Sequence, residues 1–365
     1  MLNLKDRDWH PFPLNSIFII RPGQRLTKVD MNKGSRPFIG ATDSNNGITN
    51  FVSNTNASLD KGVLGVNYNG SVVETFYHPY ECIFSDDVKR LRLSDAPICS
   101  RYIYLFLKVV IMQQKAKYVY GYKFNEQRMN KQLILLPVID VGSVEPVPDW
   151  QFMNDYIAER EQLQVANYFA RAQKVLAEIG DAGKVLPLKD KKWKPFALSS
   201  TFTLETGKGK GLNHLTKTPD GISYLGATNR NNAVLCYVKP EPKLVQQGNG
   251  IAFIRNGEGS IGYSVYKSEP FIASSDLTIG YNEKLNRYTG LFISTIADTV
   301  RGKYNFSYKR SEKRLSKEYL NLPINEFGEP DWAYMEQYAK SITQQQLKNY
   351  ILFLNLGIPH TQRNA

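Results

Sequence analysis

The feature that most constrains this chain is that it contains itself twice. "FIGATDSNNG" (Phe38 to Gly47) and "YLGATNRNNA" (Tyr224 to Ala233) share an apolar pair, Gly-Ala-Thr and Asn-Asn. Trp9, Pro11, Phe12, Leu14 and Phe18 recur as Trp193, Pro195, Phe196, Leu198 and Phe202, at an offset of 193 − 9 = 184. Tyr122-Lys123 and Leu136-Pro137 recur as Tyr308-Lys309 and Leu322-Pro323 at 308 − 122 = 186, and Pro148-Asp149-Trp150, Met153 and Tyr156 as Pro330-Asp331-Trp332, Met335 and Tyr338 at 330 − 148 = 182. A period of about 180 residues is domain-sized, too long for a solenoid repeat, so the sequence predicts two similar units in tandem. The halves diverge most between Thr42 and Tyr122, where an apolar framework is kept and the polar loops change. That is how one scaffold varies its specificity.

Each half has two parts. The first reads as short strands and turns, as in "SIFIIRPG", "GVLGVNYNGSVVETFY" and "NGIAFIRNGEGSIGYSVY", with Asn69-Gly70 and Asn256-Gly257 as hairpin signals. "SRYIYLFLKVVIMQQKAK" and "NRYTGLFISTIADTVRG" read as helices. After Trp150 the period changes: Val165, Tyr168, Phe169, Ala172, Val175, Leu176 and Ile179 form one stripe of a long helix with Asp149 as N-cap and Gly180 as stop. The second copy opens on Asp331 and carries Met335, Tyr338, Ile342, Leu347, Tyr350, Ile351 and Leu354. A helix of about 30 residues is about 45 Å long, more than a small unit needs for its own core. The reading is therefore α+β: two β-rich units, each followed by a long helix, with the two helices packed as an antiparallel coiled coil in a pseudo-twofold arrangement. The expected boundaries are 1–147, 148–184 for the first helix and linker, 185–329, and 330–365 for the second helix and tail.

With 42% hydrophobic and 12% aromatic residues over 365 positions the chain is no disordered polymer. Its 46 Lys and Arg against 34 Asp and Glu leave a net charge of +12, which favours a polyanionic partner without proving one. Cys82, Cys99 and Cys236 are odd in number and lack CxxC spacing, which argues against a disulfide framework or a zinc site and reads as buried thiols in a reducing cytosol. "MLNLKDRDWHPF" has no apolar secretory core and no window approaches a membrane span, so a soluble cytoplasmic protein is expected.

The order of these landmarks, twice over, resembles the specificity subunits of type I restriction-modification enzymes and the similar separate subunits of type IIB systems. The resemblance rests on the Trp-x-Pro-Phe-x-Leu openings, the GATxxxN strand, the "NGS" and "GEGSIG" turns, the Tyr-Lys and Leu-Pro pairs and the helix after Pro-Asp-Trp. It implies that each unit is a target recognition domain reading half of a bipartite site in double-stranded DNA, asymmetric because the loops differ. It also implies that paired helices set the spacing and dock methyltransferase-bearing modification subunits, with Met153, Tyr156, Tyr168, Met335, Tyr338 and Ile342 as candidate docking residues. Whether a nuclease is fused to those subunits or accompanies them stays open.

Phosphate contact needs Lys and Arg, and base reading needs polar or aromatic groups in a groove. "YVYGYK" (Tyr118 to Lys123) and "YNFSYKRSEKR" (Tyr304 to Arg314) combine both, so Tyr118, Tyr120, Lys123, Tyr304, Lys309, Arg310, Lys313 and Arg314 are the candidate DNA contacts, the alternative being core aromatics beside a solvated charge run. "GKGKG" (Gly207 to Gly211) lacks the Gly-Lys-Ser/Thr ending of a nucleotide loop; Lys208 and Lys210 read as a flexible basic loop on the DNA backbone or as plain surface. The Asn45-Asn46 and Asn231-Asn232 pairs suit adenine reading or a tight turn, and their recurrence in both halves favours the turn. No methyl-donor glycine strand, Asn/Asp-Pro-Pro-aromatic motif or Pro-Asp…Glu-x-Lys cleavage motif occurs, and His10, His78, His214 and His360 have no metal-pair spacing. No catalytic residue, metal or cofactor is therefore assigned. The competing readings are a self-contained methyltransferase or nuclease with unfamiliar motifs, and a cytoplasmic assembly scaffold.

Overall fold

The computed structural model describes residues 1–118, 121–139 and 146–355. The chain divides into two compact units, Met1–Arg171 together with the C-terminal end from Phe353, and Ala172–Leu352.

In the first unit the strands are β1 (Trp9–Pro13), β2 (Phe18–Pro22), β3 (Lys33–Ile39), β4 (Ile48–Val52), β5 (Val63–Asn67), β6 (Thr75–His78), β7 (Ile83–Phe84), β8 (Val88–Leu93), β9 (Leu133–Ile139) and β10 (Val147–Pro148). They form sheets ordered β1-β9-β10, β2-β8-β5-β6 and β4-β3-β7, all antiparallel except the β3/β7 pair. The helices are α1 (Leu14–Ile17), α2 (Arg101–Met112), α3 (Glu126–Lys131) and α4 (Trp150–Ile179).

The second unit repeats this order except for β10, whose place is taken by an isolated bridge between Ile324 and Pro330. Its elements are β11 (Trp193–Ala197), α5 (Leu198–Thr201), β12 (Thr203–Thr206), β13 (Lys217–Leu225), β14 (Val234–Val238), β15 (Gly250–Ile254), β16 (Ser264–Lys267), β17 (Phe271–Ala273), β18 (Leu277–Tyr281), α6 (Arg287–Asp298), α7 (Glu312–Ser316), β19 (Tyr319–Pro323) and α8 (Trp332–Asn355). The sheets run β11-β19, β12-β18-β15-β16 and β14-β13-β17, again with one parallel pair, β13/β17. The duplicated prolines Pro11 and Pro195 fall on edge strands, where a missing N–H is tolerated.

The four-stranded sheet is buried on both faces, which is why β5 and β15 carry apolar side chains at consecutive positions. Along β15, Ile251 and Phe253 face the core shared with α6 and α8, while Ala252 and Ile254 face the core shared with the β14-β13-β17 sheet. β5 does the same, with Leu64 and Val66 on one side and Val63 on the other. The helix on the first face is capped by Ser100 in α2 and by an Asn286–Thr289 capping box in α6.

The long helices start as the sequence predicts. Asp149 Oδ1 accepts from Phe152 N at 2.9 Å and Asp331 Oδ1 from Tyr334 N at 3.0 Å. Each cap carboxylate also meets a cation, Arg7 Nε at 2.9 Å and Lys191 Nζ at 2.6 Å. A column of rings anchors the first turns: Trp9 stacks on Phe106 and Phe106 meets Tyr156 edge-on, while Trp193, Phe292 and Tyr338 repeat the arrangement. Gly180, at φ +66°, ends α4 and donates to Leu176 O.

Two local expectations are corrected, the Asn-Gly hairpins and the three buried thiols. The division between units falls inside α4 because its last turns belong to the second unit, where Val175, Ile179 and Ala182 pack with Tyr288 and Leu347. The segment after Gly180 is pinned: α8 donates from Gln344 to Gly180 O, from Gln337 to Ala182 O and from Tyr334 to Leu186 O, so this stretch runs antiparallel to α8. Asn-Gly does not form two-residue hairpins; it opens the longer β5–β6 and β15–β16 connections, where Asn69 and Asn256 each donate to an aspartate, Asp87 and Asp276. Of the cysteines only Cys82 is buried, and burial raises its thiol pKa; Cys99 is exposed.

Candidate nucleic-acid interface

The tyrosine-rich stretches fold into the same object in both units. In the first, the Tyr118 and Tyr122 rings stack with centroids 5.7 Å apart and 12° between planes, and the Arg128 guanidinium lies 3.8 Å from the Tyr122 centroid. In the second, Tyr304 and Tyr308 stack at 6.0 Å and 13°, with Arg314 at 3.9 Å from Tyr308. The arginine also closes the preceding loop, Arg128 Nη1 donating to Lys123 O at 2.7 Å and Arg314 Nη1 to Lys309 O at 2.8 Å. Short helices α3 and α7 supply the arginines, and Asn125 and Ser311 cap them. Tyr122 and Tyr308 are each 48% exposed.

Each stack borders an open cleft. The first, about 470 Å³, is lined by Lys117, Tyr118, Tyr122, Arg128 and Lys131. The second, about 660 Å³, is lined by Lys303, Tyr304, Tyr308, Lys313, Arg314 and Lys317. Among the described residues none of these lysines and arginines has a carboxylate within 4.0 Å; the acids nearby are engaged elsewhere, Glu126 with Lys89, Glu312 with Arg255 and Glu318 with Arg310. Uncompensated cations beside half-exposed rings make a surface suited to an anion carried on a flat, partly apolar body.

The expected contacts separate on this geometry. Tyr118, Tyr304, Lys313 and Arg314 line the clefts, and Lys123 and Lys309 sit exposed on the loops beside them. Tyr118 is itself buried against Phe124, and its hydroxyl donates to Gln132 Oε1 at 2.6 Å. Tyr120 lies outside the described residues. Arg310 is a correction: it is 0% exposed, pairs with Glu318 through two nitrogens, and donates to Gly262 O and Ser264 Oγ, so it is a core cation. Burial, and then the Glu318 hydrogen bond, raise the Tyr304 pKa. Phe306 is 73% exposed, against the alternative that the rings of this stretch are core aromatics. Lys117, Arg128, Lys131, Lys303 and Lys317 are cleft residues not among the expected contacts, although "KYVYGYK…R..K" and "KYNFSYK…R..K" match at one offset, 303 − 117 = 186.

Lys208 and Lys210 are exposed, Lys208 within 3.5 Å of Glu205, but their loop is fixed rather than flexible. Gly209 N donates to Ala273 O at 2.7 Å, and a Cβ on Gly207 would stand 2.0 Å from Ser274 O. Gly23 meets Ser85 O in the same way. The asparagine pairs are turns, with φ of 50° and 52° at Asn45 and Asn46 and 48° and 54° at Asn231 and Asn232. Of the docking candidates, Met153 and Met335 are core residues with no exposure, a correction that follows from their place in the first turns of α4 and α8 against the sheets. Tyr156 and Tyr338 are half-buried in the ring columns, Tyr168 is half-buried, and Ile342 is exposed.

Among the described residues no three His, Cys, Asp or Glu side chains are placed to hold a metal ion, and no helix is long and apolar enough to cross a membrane.

Two tandem copies of one α+β unit, each with a basic aromatic cleft and each continuing into a long capped helix, define a duplicated recognition protein. The chain belongs to the type I restriction modification DNA specificity domain family, whose model matches residues 6–166 and again 190–352. It is 59% identical over 159 residues to the Type II restriction enzyme BgcI specificity subunit S.BcgI of Heyndrickxia coagulans. That stretch is 44% of this chain and 45% of the relative, so the chain spans about half the length of the curated relative it matches. The fold is also that of the crystal structure of a type I restriction-modification system S subunit from M. genitalium, at TM-score 0.55 and 14% identity, over 97% of this chain and 94% of that one.

Proposed function

We propose that this protein is a non-catalytic specificity subunit that reads an asymmetric, interrupted site in double-stranded DNA and carries that specificity to methyltransferase-bearing modification subunits. The observation that supports it is a duplicated unit with one strand order and two different sets of polar loops. Identical scaffolds with unlike loops suit two unlike half-sites. Residues 1–147 and 185–329 act as the two readers. Residues 148–184 and 330–365 supply long helices that pair as an antiparallel coiled coil, hold the readers at a fixed spacing, and offer residues such as Ile342 and Tyr168 to the modification subunits. Lys123, Lys208, Lys210 and Lys309 contact DNA from loops, and Lys313 and Arg314 from α7. The protein works in the cytoplasm, beside the chromosome it marks.

The test is to exchange residues 1–147 for the matching unit of a relative, supply modification subunits, and sequence the methylated sites. One half-site is expected to change while the other and the spacer are kept. A change in both halves would end the two-reader model.

A further inference from the structure

Six residues in and beside the clefts are the same in both units at a single offset of 186: Lys117/Lys303, Tyr118/Tyr304, Tyr122/Tyr308, Lys123/Lys309, Arg128/Arg314 and Lys131/Lys317. Glu126/Glu312 is kept as well, engaged with Lys89 and Arg255 and not with the cleft cations, while most other positions around them change. Phe124 faces Arg310 across the repeat, Gln127 faces Lys313, Gln132 faces Glu318 and Leu133 faces Tyr319. What the units hold in common here is four cations and two stacked rings, kept to within 0.3 Å in stacking distance and 0.1 Å in the arginine-to-ring distance (5.7 against 6.0 Å, 3.8 against 3.9 Å).

A surface that reads bases must differ between units that read different bases. One that is the same in both must bind something both half-sites share. The charge selects the occupant: the cations have no carboxylate within 4.0 Å among the described residues, and the ligand that repeats along DNA without regard to sequence is the phosphodiester backbone. We infer that the paired clefts are sequence-independent phosphate grips, one per unit, in which Lys117, Lys131 and Lys123, and their counterparts Lys303, Lys317 and Lys309, hold the sugar-phosphate strand while Arg128 and Arg314 fix the tyrosine loop. Base reading is left to the segments that differ. This rests on the DNA-reading function proposed above and adds to it where the shared contacts lie.

The test uses the full chain assembled with its modification subunits. Lys117→Gln/Lys131→Gln and Lys303→Gln/Lys317→Gln are made separately; all four side chains are exposed, so folding is spared. Duplex affinity is measured on cognate and scrambled DNA across a salt series, together with the methylated sequence. Each pair is expected to weaken both duplexes equally, on the order of tenfold per cation removed near 0.1 M salt, to lower the salt slope by about 0.9 per lost contact, and to leave the methylated sequence unchanged. Unaltered affinity and slope in an intact assembly overturn the inference, as does a change in the recognised bases. Loss of the modification subunits with duplex affinity retained would make the clefts protein-docking faces and overturn it too. If the wild-type assembly binds no duplex, the parent reading falls as well, which separates the two failures.

Discussion

Arg310 and Glu318 are enclosed together in the second unit, Nε to Oε2 at 3.0 Å, where the first unit places Phe124 and Gln132 at the same repeat positions. Both solutions serve one end. Tyr304 donates to Glu318 at 2.7 Å and Tyr118 to Gln132 at 2.6 Å, so the acceptor that anchors the ring stack is kept while its partner changes from a cation to a ring. Removing one member of a buried pair strands the other charge, at a cost of about 3–5 kcal/mol, whereas replacing both can be near neutral. Arg310→Ala is therefore expected to be severely destabilising, and Arg310→Phe/Glu318→Gln to recover most of the loss by installing the first unit's arrangement. Chemical denaturation of the full chain reads this; equal damage in the single and double variants would show that the repeat positions are not interchangeable.

That pair also marks where the sequence stops being legible. The duplication, the caps, the long helices and the helix boundaries follow from Pro, Gly, Asp and Trp at fixed intervals, because those residues act on the backbone within a few positions. Arg310 stands in "YKRSEKR", which has the composition of a solvated surface run. Its burial is decided by Glu318, Gly262 and Ser264, two of them across the fold, and no local pattern carries that. The long-helix stripe shows the same limit: Ala172, Val175 and Ile179 are buried as the period requires, yet Val165 and Tyr168 are only half-covered. Periodicity shows which face is apolar and not how much of it is covered. The shared cationic positions were within reach, since extending the alignment from Tyr122-Lys123 in both directions exposes them.

His78 supplies a pH prediction. It is enclosed against Phe84, its Nε2 has no hydrogen-bond partner among the described residues, and Nδ1 lies 3.4 Å from the Tyr80 hydroxyl. Burial, with the Lys108 charge adding to it, lowers its pKa from 6.5 to about 3. Between those values the unfolded imidazole is protonated and the folded one is not. This contribution to stability is complete above pH 6.5 and declines as the pH falls toward 3, by at most about 1.4 kcal/mol per pH unit. Comparing wild type with His78→Leu at pH 7.5, 6 and 5 should show a shallower pH dependence in the variant; parallel curves would mean the ring is not kept neutral.

The GKGKG loop separates a packing role from a charge role. Because the Gly207 position leaves no room for a Cβ beside Ser274 O, Gly207→Ala should destabilise the second unit by about 1–3 kcal/mol. Lys208→Ala and Lys210→Ala, on exposed side chains, should change stability by no more than about 0.5 kcal/mol. Thermal unfolding of the three variants decides this, and a harmless Gly207→Ala would show that the loop can lift away from the sheet.

The cap residues Asp149 and Asp331 allow a sharper dissection, since each carboxylate does two separable things. One oxygen accepts from the backbone N–H three residues on, and the other meets a cation from the segment leading into the unit, Arg7 or Lys191. The hydrogen bond satisfies a helix N–H that has no intrahelical acceptor, which is worth about 0.5–2 kcal/mol. The ion pair stands partly in solvent at Arg7, so its contribution is about 0–1 kcal/mol there. Asp149→Asn and Asp331→Asn keep an acceptor at the cap and lose the charge; Asp149→Ala and Asp331→Ala lose both. The alanine variants should therefore be the less stable at both positions, and only the loss shared by Asn and Ala should shrink as salt is raised, because screening acts on the ion pair and hardly on the cap. Urea denaturation at 0.05 and 0.5 M salt measures both. If Asn proves as damaging as Ala, the cation rather than the cap holds the start of each long helix to its unit.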